Sequence, residues 1–434
     1  MLKRIIIKKL FDLFDYTIEL KEEGITILTG PNGYGKTTVL KILDALASKN
    51  GLFFIRLLFK EITLEFNEQE IVSLRKKGDN KVAIEVSGKQ SKEIFLDKGN
   101  LNKVLRNYPF IRPLHEDHWL DQRTDNIYDS ETLLQNILPN LPEYSDHSLT
   151  IKLPNISNLS NVYFIREQRL LRPVQSARRR QIPGRIYPGR IYMDEEYPDI
   201  FAKTIEEYAK ELCDAIKETL AKSSQITQQL DSSFPRRLFD QKKEISENQF
   251  NQRFDKVKEI QNALVKYGLS NIKEDDHPTY KKENAKALYV YIDDIQKKMA
   301  VFSGFLEKLK TFTNILNERR FTFKRIDISK DEGFKFSTTH GKPLALGDLS
   351  SGEQQEVVLL YELLFKVNSG TLVLIDEPEL SLHIAWQKQF LDDLFKIIEL
   401  QKISVIIATH SPQIINEHWD LTVDLEEISQ CGNI

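Results

Sequence analysis

The sequence predicts an α/β fold whose two halves flank a helical insertion. Three observations carry this. Residues 30–37 read Gly-Pro-Asn-Gly-Tyr-Gly-Lys-Thr, a complete phosphate loop set between an apolar run at 24–29 and an apolar-periodic stretch from Val39. From about residue 200 to 318 the apolar residues recur every three or four positions, the helical period. After residue 320 short apolar runs return, and two of them end in Asp376-Glu377 and in Thr409-His410.

Taken in order, 4–10, 16–20, 24–29, 57–66, 82–86 and 93–96 read as strands, with a helix opening after the phosphate loop. Residues 115–150 are polar and rich in turn formers, which suggests a loop with one short helix at 131–137. In the insertion, Ile205, Tyr208, Leu212 and Ile216 mark one helix, and Phe250, Phe254, Val257 and Leu264 a second. A third pattern runs through Leu288, Ile292, Met299 and Leu306 over 280–317. As a single helix it would be about 55 Å long. Strands then follow at 321–328, 333–336, 371–375 and 403–408, and helices at 353–365 and 384–400. The chain therefore divides into 1–165, 166–199, 200–318 and 319–434. One local duplication, Pro183-Gly-Arg-Ile-Tyr187 then Pro188-Gly-Arg-Ile-Tyr192, is present.

At 434 residues the chain is long enough for more than one domain and a substantial core. The net charge of −3 announces no global nucleic-acid surface, so any such surface is local. Cys213 and Cys431 form neither a zinc pattern nor a disulfide framework, which fits a reducing cytoplasmic setting. The basic start, Met-Leu-Lys-Arg, is followed by no signal-peptide core, and no apolar run approaches the roughly 20 residues that span a bilayer. A soluble protein with no membrane partner is the expectation.

The phosphate loop needs glycines so that backbone N–H groups can wrap a triphosphate. Pro31, Asn32, Gly33, Tyr34, Gly35, Lys36, Thr37 and Thr38 would form the cradle, with Lys36 on the β- and γ-phosphates and Thr37 on Mg²⁺. Asp376 ends an apolar strand and is placed to hold Mg²⁺ through water, and Glu377 to polarise the attacking water. Strands often end in acids, so this pair gains weight only from the phosphate loop in the same chain. Leu349-Ser-Ser-Gly-Glu353 opens a helix. Alone it is also an ordinary helix cap, but Ser350, Ser351, Gly352 and Glu353 at a helix start can form an anion site. His410 follows a buried strand, and Gln168 stands in Phe164-Ile-Arg-Glu-Gln-Arg169, where a Gln after a strand is common.

In this order these segments resemble the ABC ATPase superfamily, in its soluble SMC-like and overcoming-lysogenisation branch. The resemblance covers 1–70 and 320–434. Leu349-Ser-Ser-Gly-Glu resembles the signature motif, with Ser351 where the first of two glycines usually stands. It implies an α/β, ABC-type P-loop ATPase head split by a helical, short coiled-coil insertion. It further implies ATP and Mg²⁺ as cofactors, with Gln168 as the Q-loop residue near the metal and His410 as the switch that senses the γ-phosphate. Glu377, Lys36 and His410 become the catalytic set, and Glu379-Leu-Ser-Leu-His383 the dimer-facing loop. Two heads would sandwich ATP between the phosphate loop of one and Ser350 and Gly352 of the other, so a homodimer or higher homo-oligomer is implied.

Narrower stretches, among them Val162-Tyr-Phe-Ile-Arg-Glu-Gln-Arg169, Leu230-Asp-Ser-Ser-Phe-Pro-Arg-Arg237 and His410-Ser-Pro-Gln-Ile-Ile415, are similar to the AAA-15/AAA-21-type ATPases of PARIS antiphage defence. The Septu ATPases come next. That resemblance implies a sensor or scaffold that controls a separate effector nuclease, Toprim-type in PARIS and HNH-type in Septu, and answers a phage-encoded trigger. No His-Asn-His metal motif appears in the chain, and the stretch after His410 is short for an appended Toprim domain. His115-Glu-Asp-His118 reads as a solvated loop rather than a metal site. The alternatives are an SMC-like DNA-repair or chromosome-associated ATPase, against which the short helices and missing Cys-x-x-Cys hook count, and a transporter subunit.

Between 166 and 190 stand eight arginines, diluted by Glu167 alone. Arginine forks suit phosphates and carboxylates, so the segment fits nucleic acid, an acidic protein, or a solvated loop balanced by Asp194-Glu-Glu196. Charge reversal at Arg178, Arg179 and Arg180 is expected to weaken binding to the first two. Electrophoretic-mobility and pull-down assays that show no change would leave only the solvated loop.

Overall fold

The computed structural model describes residues 2–67, 70–78, 81–87, 92–95, 110–115, 118–122, 126–129, 153, 156, 159–166, 171–173, 201–270, 278–382 and 384–430. The chain forms two compact units, Met1–Glu167 with Val367–Ile434, and Gln168–Lys366.

The first unit opens with β1 (Leu2–Leu10), β2 (Phe14–Glu19) and β3 (Ile25–Thr29), then α1 (Lys36–Ala47) and α2 (Gly51–Arg56). Strands β4 (Glu61–Phe66), β5 (Ile71–Lys76), β6 (Lys81–Val86) and β7 (Lys92–Phe95) follow. They build an antiparallel sheet in the order β2-β1-β4-β5-β6-β7. Alternation decides its faces: Ile5, Ile7, Ile62, Leu64, Val72 and Leu74 are fully buried. On the other face Arg4 pairs with Glu19 and Glu65, and Glu61 with Lys8 and Arg75. These exposed pairs fix register more than they stabilise. Helix α2 was not expected; its apolar run, Phe53-Phe54-Ile55, has no period to read, and its signal is Asn50, whose side chain accepts from the Phe53 amide.

Within the stretch expected as loop, residues 115, 118–121 and 126–129 lie in strands instead. β8 (Ile111–His115), β9 (His118–Asp121) and β10 (Asn126–Asp129) make a small antiparallel sheet around the buried Trp119. These short strands bury Ile111, Trp119 and the polar Asp121 among exposed residues, which leaves too little apolar pattern to detect. His115 and His118 are cross-strand partners, and no metal-ligand cluster occurs among the described residues. The helix expected at 131–137 lies outside the described residues. Strand β11 (Val162–Ile165) closes this part of the unit.

The second unit holds the paired strands β12 (Leu171–Pro173) and β13 (Phe201–Lys203), then α3 (Thr204–Phe239), α4 (Glu247–Lys266), α5 (Ala285–Ala300) and α6 (Ser303–Asn314). The long helix expected over 280–317 is broken at Val301-Phe302, and α3, at 36 residues, is the longest. Ser303 and Gly304 weaken the helix there, and the Ser303 hydroxyl donates to the Ala300 carbonyl. The apolar spacing continues across the break because Met299, Phe302 and Leu306 are all buried.

The meander β14 (Lys324–Ser329), β15 (Gly333–Thr338), β16 (Pro343–Leu344) and helix α7 (Ser351–Tyr361), which runs on as a π-helical turn Glu362–Lys366, also belong to this unit. The sequence grouped them with the second half of the head. What holds them is contact with α3. Gly333 has φ +78°, and a Cβ there would lie 1.8 Å from the Ala209 carbonyl oxygen. Tyr208 stacks on Tyr361 with centroids 4.5 Å apart and donates to the buried Glu362 at 2.5 Å.

The Leu230–Arg237 motif has a packing role. Pro235 removes one helix donor in α3, and two residues on, Arg237 reaches back to donate to the Leu230 carbonyl at 2.7 Å. Its guanidinium then grips both oxygens of Asp294 on α5, a carboxylate that is 5% exposed.

The chain returns to the first unit with β17 (Leu372–Asp376), α8 (Ile384–Gln387), α9 (Phe390–Gln401), β18 (Ser404–Ala408), α10 (Pro412–Ile415), β19 (Thr422–Asp424) and α11 (Leu425–Gln430). The helix expected over 384–400 is interrupted at Lys388-Gln389. All strands of the second sheet are parallel, in the order β11-β17-β18-β3-β19. Near-continuous apolar strands mark a sheet covered on both faces. The α/β class and the split by a helical insertion agree with the sequence expectation.

Replacing Arg237 with alanine strands a buried carboxylate and is expected to destabilise the protein by about 2–4 kcal/mol. Urea unfolding measures this; an unchanged midpoint would contradict it.

Candidate nucleotide site

In open parallel sheets, ligands bind beyond the carboxyl ends of the strands. β18 lies between β17 and β3, with Asp376 opposite Ala408 and Ala408 opposite Leu28. Three loops therefore start side by side: the phosphate loop after Thr29, Glu377 after Asp376, and Thr409-His410 after Ala408.

The phosphate loop turns through Gly30, Gly33 and Gly35, all with positive φ. Gly35 is the N-cap of α1 at φ +84°, where a Cβ would press on Leu10 and Phe11 at 3.0 and 3.2 Å. No side chain caps this helix, so its first-turn amides keep their capacity for an anion. Tyr34 is held from both ends: its carbonyl accepts from Tyr16 at 2.7 Å, and its hydroxyl donates to Glu426 at 3.3 Å. Pro31, Asn32 and Gly33 are exposed, and Thr38 is half-buried in the first turn of α1.

Lys36 is buried and its ammonium turns back on the loop, 2.9 Å from the Gly30 carbonyl and 3.2 Å from that of Pro31. Burial pulls its pKa below the usual lysine value, while Glu377, Glu379, Asp376 and Asp424 pull the other way. The charge is thus kept by the acids around it. Lys36 Nζ also lies 3.4 Å from His410 Nδ1. An ammonium only donates, so Nδ1 is the acceptor and the ring proton sits on Nε2, which points at Glu377 Oε1 at 3.4 Å. Burial and Lys36 both lower the His410 pKa, keeping the ring neutral near pH 7.

Thr37 donates to Asp376 Oδ1 at 2.9 Å, across from the end of β3 to the end of β17. Two hard oxygen donors side by side at the mouth of an uncapped helix fit Mg²⁺ beside a triphosphate. Bound there, the ion would neutralise phosphate charge. Glu377 adopts a left-handed backbone, φ +44°, fixed by its amide bond to the Ala408 carbonyl at 2.9 Å. Burial first, then hydrogen bonding to Glu379 and its charge, push the Glu377 pKa up to about 8. Glu379 Oε2 is buried with no donor among the described residues. A proton on Glu377 lets the two carboxyls bond rather than repel.

Lys36, Thr37, Asp376, Glu377 and His410 thus converge as expected. Gln168, His383 and residues 174–200 lie outside the described residues. Ser350, Ser351, Gly352 and Glu353 stand in the second unit at the start of α7. There Ser350 and Glu353 form a reciprocal capping box, with Glu353 accepting from the Ser350 amide at 2.7 Å and pairing with Lys324 at 2.7 Å. Burial raises the Glu353 pKa, but Lys324 and Ser350 outweigh it and the net shift is downward. Glu353 is therefore committed to shaping the helix start. The sequence did not flag Asp424, which accepts from Thr29 at 3.2 Å, nor Glu426 on Tyr34. Each becomes a neighbour only when β19 pairs with β3.

The sequence matches, over residues 25–416, the family model AAA_21, described as "AAA domain, putative AbiEii toxin, Type IV TA system". No curated protein matches it. Solved structures that it resembles include the Smc head domain with an extended coiled coil bound to the C-terminal domain of ScpA from Pyrococcus furiosus. That likeness is 13% identical with a TM-score of 0.36, over 95% of this chain and 90% of that one. An SmcHead bound to the C-winged helix domain of ScpA is 12% identical with a TM-score of 0.38, over 96% and 91%.

The Glu377 proton makes stability depend on pH. Unfolded, the carboxyl titrates near 4.5; folded, without nucleotide or metal, near 8. The folded state binds the extra proton between these values, so stability falls as pH rises from about 4.5 through about 8. Glu377→Gln should flatten thermal-unfolding midpoints over that window and gain most on the native protein at its upper end. Parallel curves would refute the assignment.

Proposed function

The chain belongs to the AAA_21 family, and from that premise we propose that it binds and hydrolyses ATP with Mg²⁺, as the sensor and scaffold subunit of a defence complex. The observation that supports hydrolysis is the convergence of Lys36, Thr37, Asp376, Glu377 and His410 at three adjacent strand ends. Lys36 holds the terminal phosphates. Thr37 and Asp376 hold the metal. Glu377, once deprotonated, orients and polarises the attacking water, and His410 relays the state of the terminal phosphate to Glu377. Loss of the Glu377 proton is part of the reading: a divalent cation held by Thr37 and Asp376 would favour the carboxylate, whereas phosphate charge by itself would favour the protonated form.

Ser350, Ser351 and Gly352 at the start of α7 supply a second anion-binding edge, which in a homodimer would close on the nucleotide of the other copy. Opening and closing of that clamp is the signal passed to a separate nuclease, Toprim-type by the narrower resemblance and HNH-type otherwise. A family description that names a toxin of a two-part system is in keeping with a separate partner. Among the described residues no helix is long and apolar enough to cross a membrane.

Lys36→Ala is expected to weaken ATP binding about tenfold or more. Glu377→Gln should keep ATP binding, lower kcat by about 100-fold or more, and accumulate an ATP-bound dimer. Phosphate-release assays, with light scattering for mass, measure both; a Glu377→Gln variant that turns over normally overturns the catalytic assignment. Purification of the native complex tests the defence role. A co-purifying nuclease supports it, whereas hydrolysis stimulated by DNA with no nuclease present is the behaviour of an SMC-like repair ATPase.

A further inference from the structure

His410 stands two residues beyond Ala408, the last residue of β18, where a strand-end loop is ordinarily satisfied by water and free to swing. Here it is tied down. Glu379 Oε1 accepts from the Thr409 hydroxyl and from the His410 amide, each at 2.7 Å. Thr409 is fully buried, and its Oγ1 in turn accepts from the Ser411 amide at 3.0 Å. A second tie runs through the buried Gln387. Its Oε1 accepts from the Ser411 hydroxyl at 2.7 Å, and its Nε2 donates to the carbonyls of Leu382 at 3.1 Å and Glu379 at 3.3 Å. Loop 409–411 therefore hangs from Glu379 and Gln387 through the Thr409 and Ser411 hydroxyls and the His410 backbone amide. A carboxylate on a backbone amide is the stronger kind of hydrogen bond.

We propose that Glu379 is a positioning residue. It holds the Thr409-His410 backbone so that the imidazole stands between Lys36 Nζ and Glu377 Oε1, and Gln387 completes the tie. For catalysis the proposal rests on the ATPase reading above. The turn after the water-polarising carboxylate and the loop of the phosphate-sensing histidine then respond as one piece. Leu380, in the same turn, is 63% exposed, so this piece has an outer face.

Glu379→Ala removes the acceptor for both donors, while Glu379→Gln keeps an acceptor oxygen without the charge. Amide hydrogen exchange on the full-length protein should speed up about 10- to 100-fold at 409–411 in the alanine variant, far less in the glutamine variant, and not within β17 or β18. Turnover should fall in Glu379→Ala about as far as in His410→Ala, with KM for ATP within about twofold of native. Glu379→Gln should recover most of the rate. The double variant, Glu379→Ala with His410→Ala, should be no slower than His410→Ala alone, because one acts through the other. Unchanged exchange at 409–411, or losses that multiply in the double variant, would overturn the proposal. A native protein without ATPase activity would remove the catalytic reading, and the exchange measurement would still decide whether Glu379 holds the loop.

Discussion

The site depends on one constraint: β17, β18 and β3 run parallel and adjacent, in register at Asp376, Ala408 and Leu28. Three loops from distant parts of the sequence are thereby launched from one edge. Neighbouring strands lie about 4.8 Å apart, so side chains from their ends reach one another without long excursions. The Thr37–Asp376 bond spans the outer two loops, and His410 fills the gap between them. A slip of one residue in β18 would turn its apolar side chains around and carry His410 away from Lys36.

Charge at this edge is a balance. Lys36 is buried and loses hydration, and four acids surround it. Those acids crowd one another, and the crowding is relieved by a proton on Glu377 and by donors from Thr409 and His410 to Glu379. Charge at this edge is thus balanced among its own groups: the lysine rests on its own loop carbonyls, and the Glu377 carboxyl is protonated. The Glu377 carboxyl and the His410 loop are thereby linked through Lys36 and Glu379.

Much of this was legible in the sequence. The phosphate loop has a fixed spacing because a tight turn and a helix start allow no other, and Gly35 shows the physical need, being left-handed and pressed against Leu10. Asp376-Glu377 and Thr409-His410 were readable as ends of apolar strands. Elements with weak local pattern were not. The sheet at β8 to β10 has few apolar anchors among the described residues, Ile111 and Trp119, and α2 has an apolar run with no period. The break between α5 and α6 was hidden because the same apolar spacing serves both helices.

The sequence by itself determined which residue types meet at the strand ends: a glycine-rich phosphate loop with Lys36 and Thr37, the acids Asp376 and Glu377, and His410, on an α/β scaffold interrupted by helices. These follow from local rules of turn, period and side-chain type. Only the tertiary structure decided what those groups do to one another. That Glu377 holds its proton, that Glu379 grips the backbone of His410, that Glu353 is spent on a helix cap and Lys324, and that α7 packs with α3, all arise from contacts between residues far apart in the chain. Burial and proximity across strands have no local signature, because they are properties of the sheet order rather than of any segment.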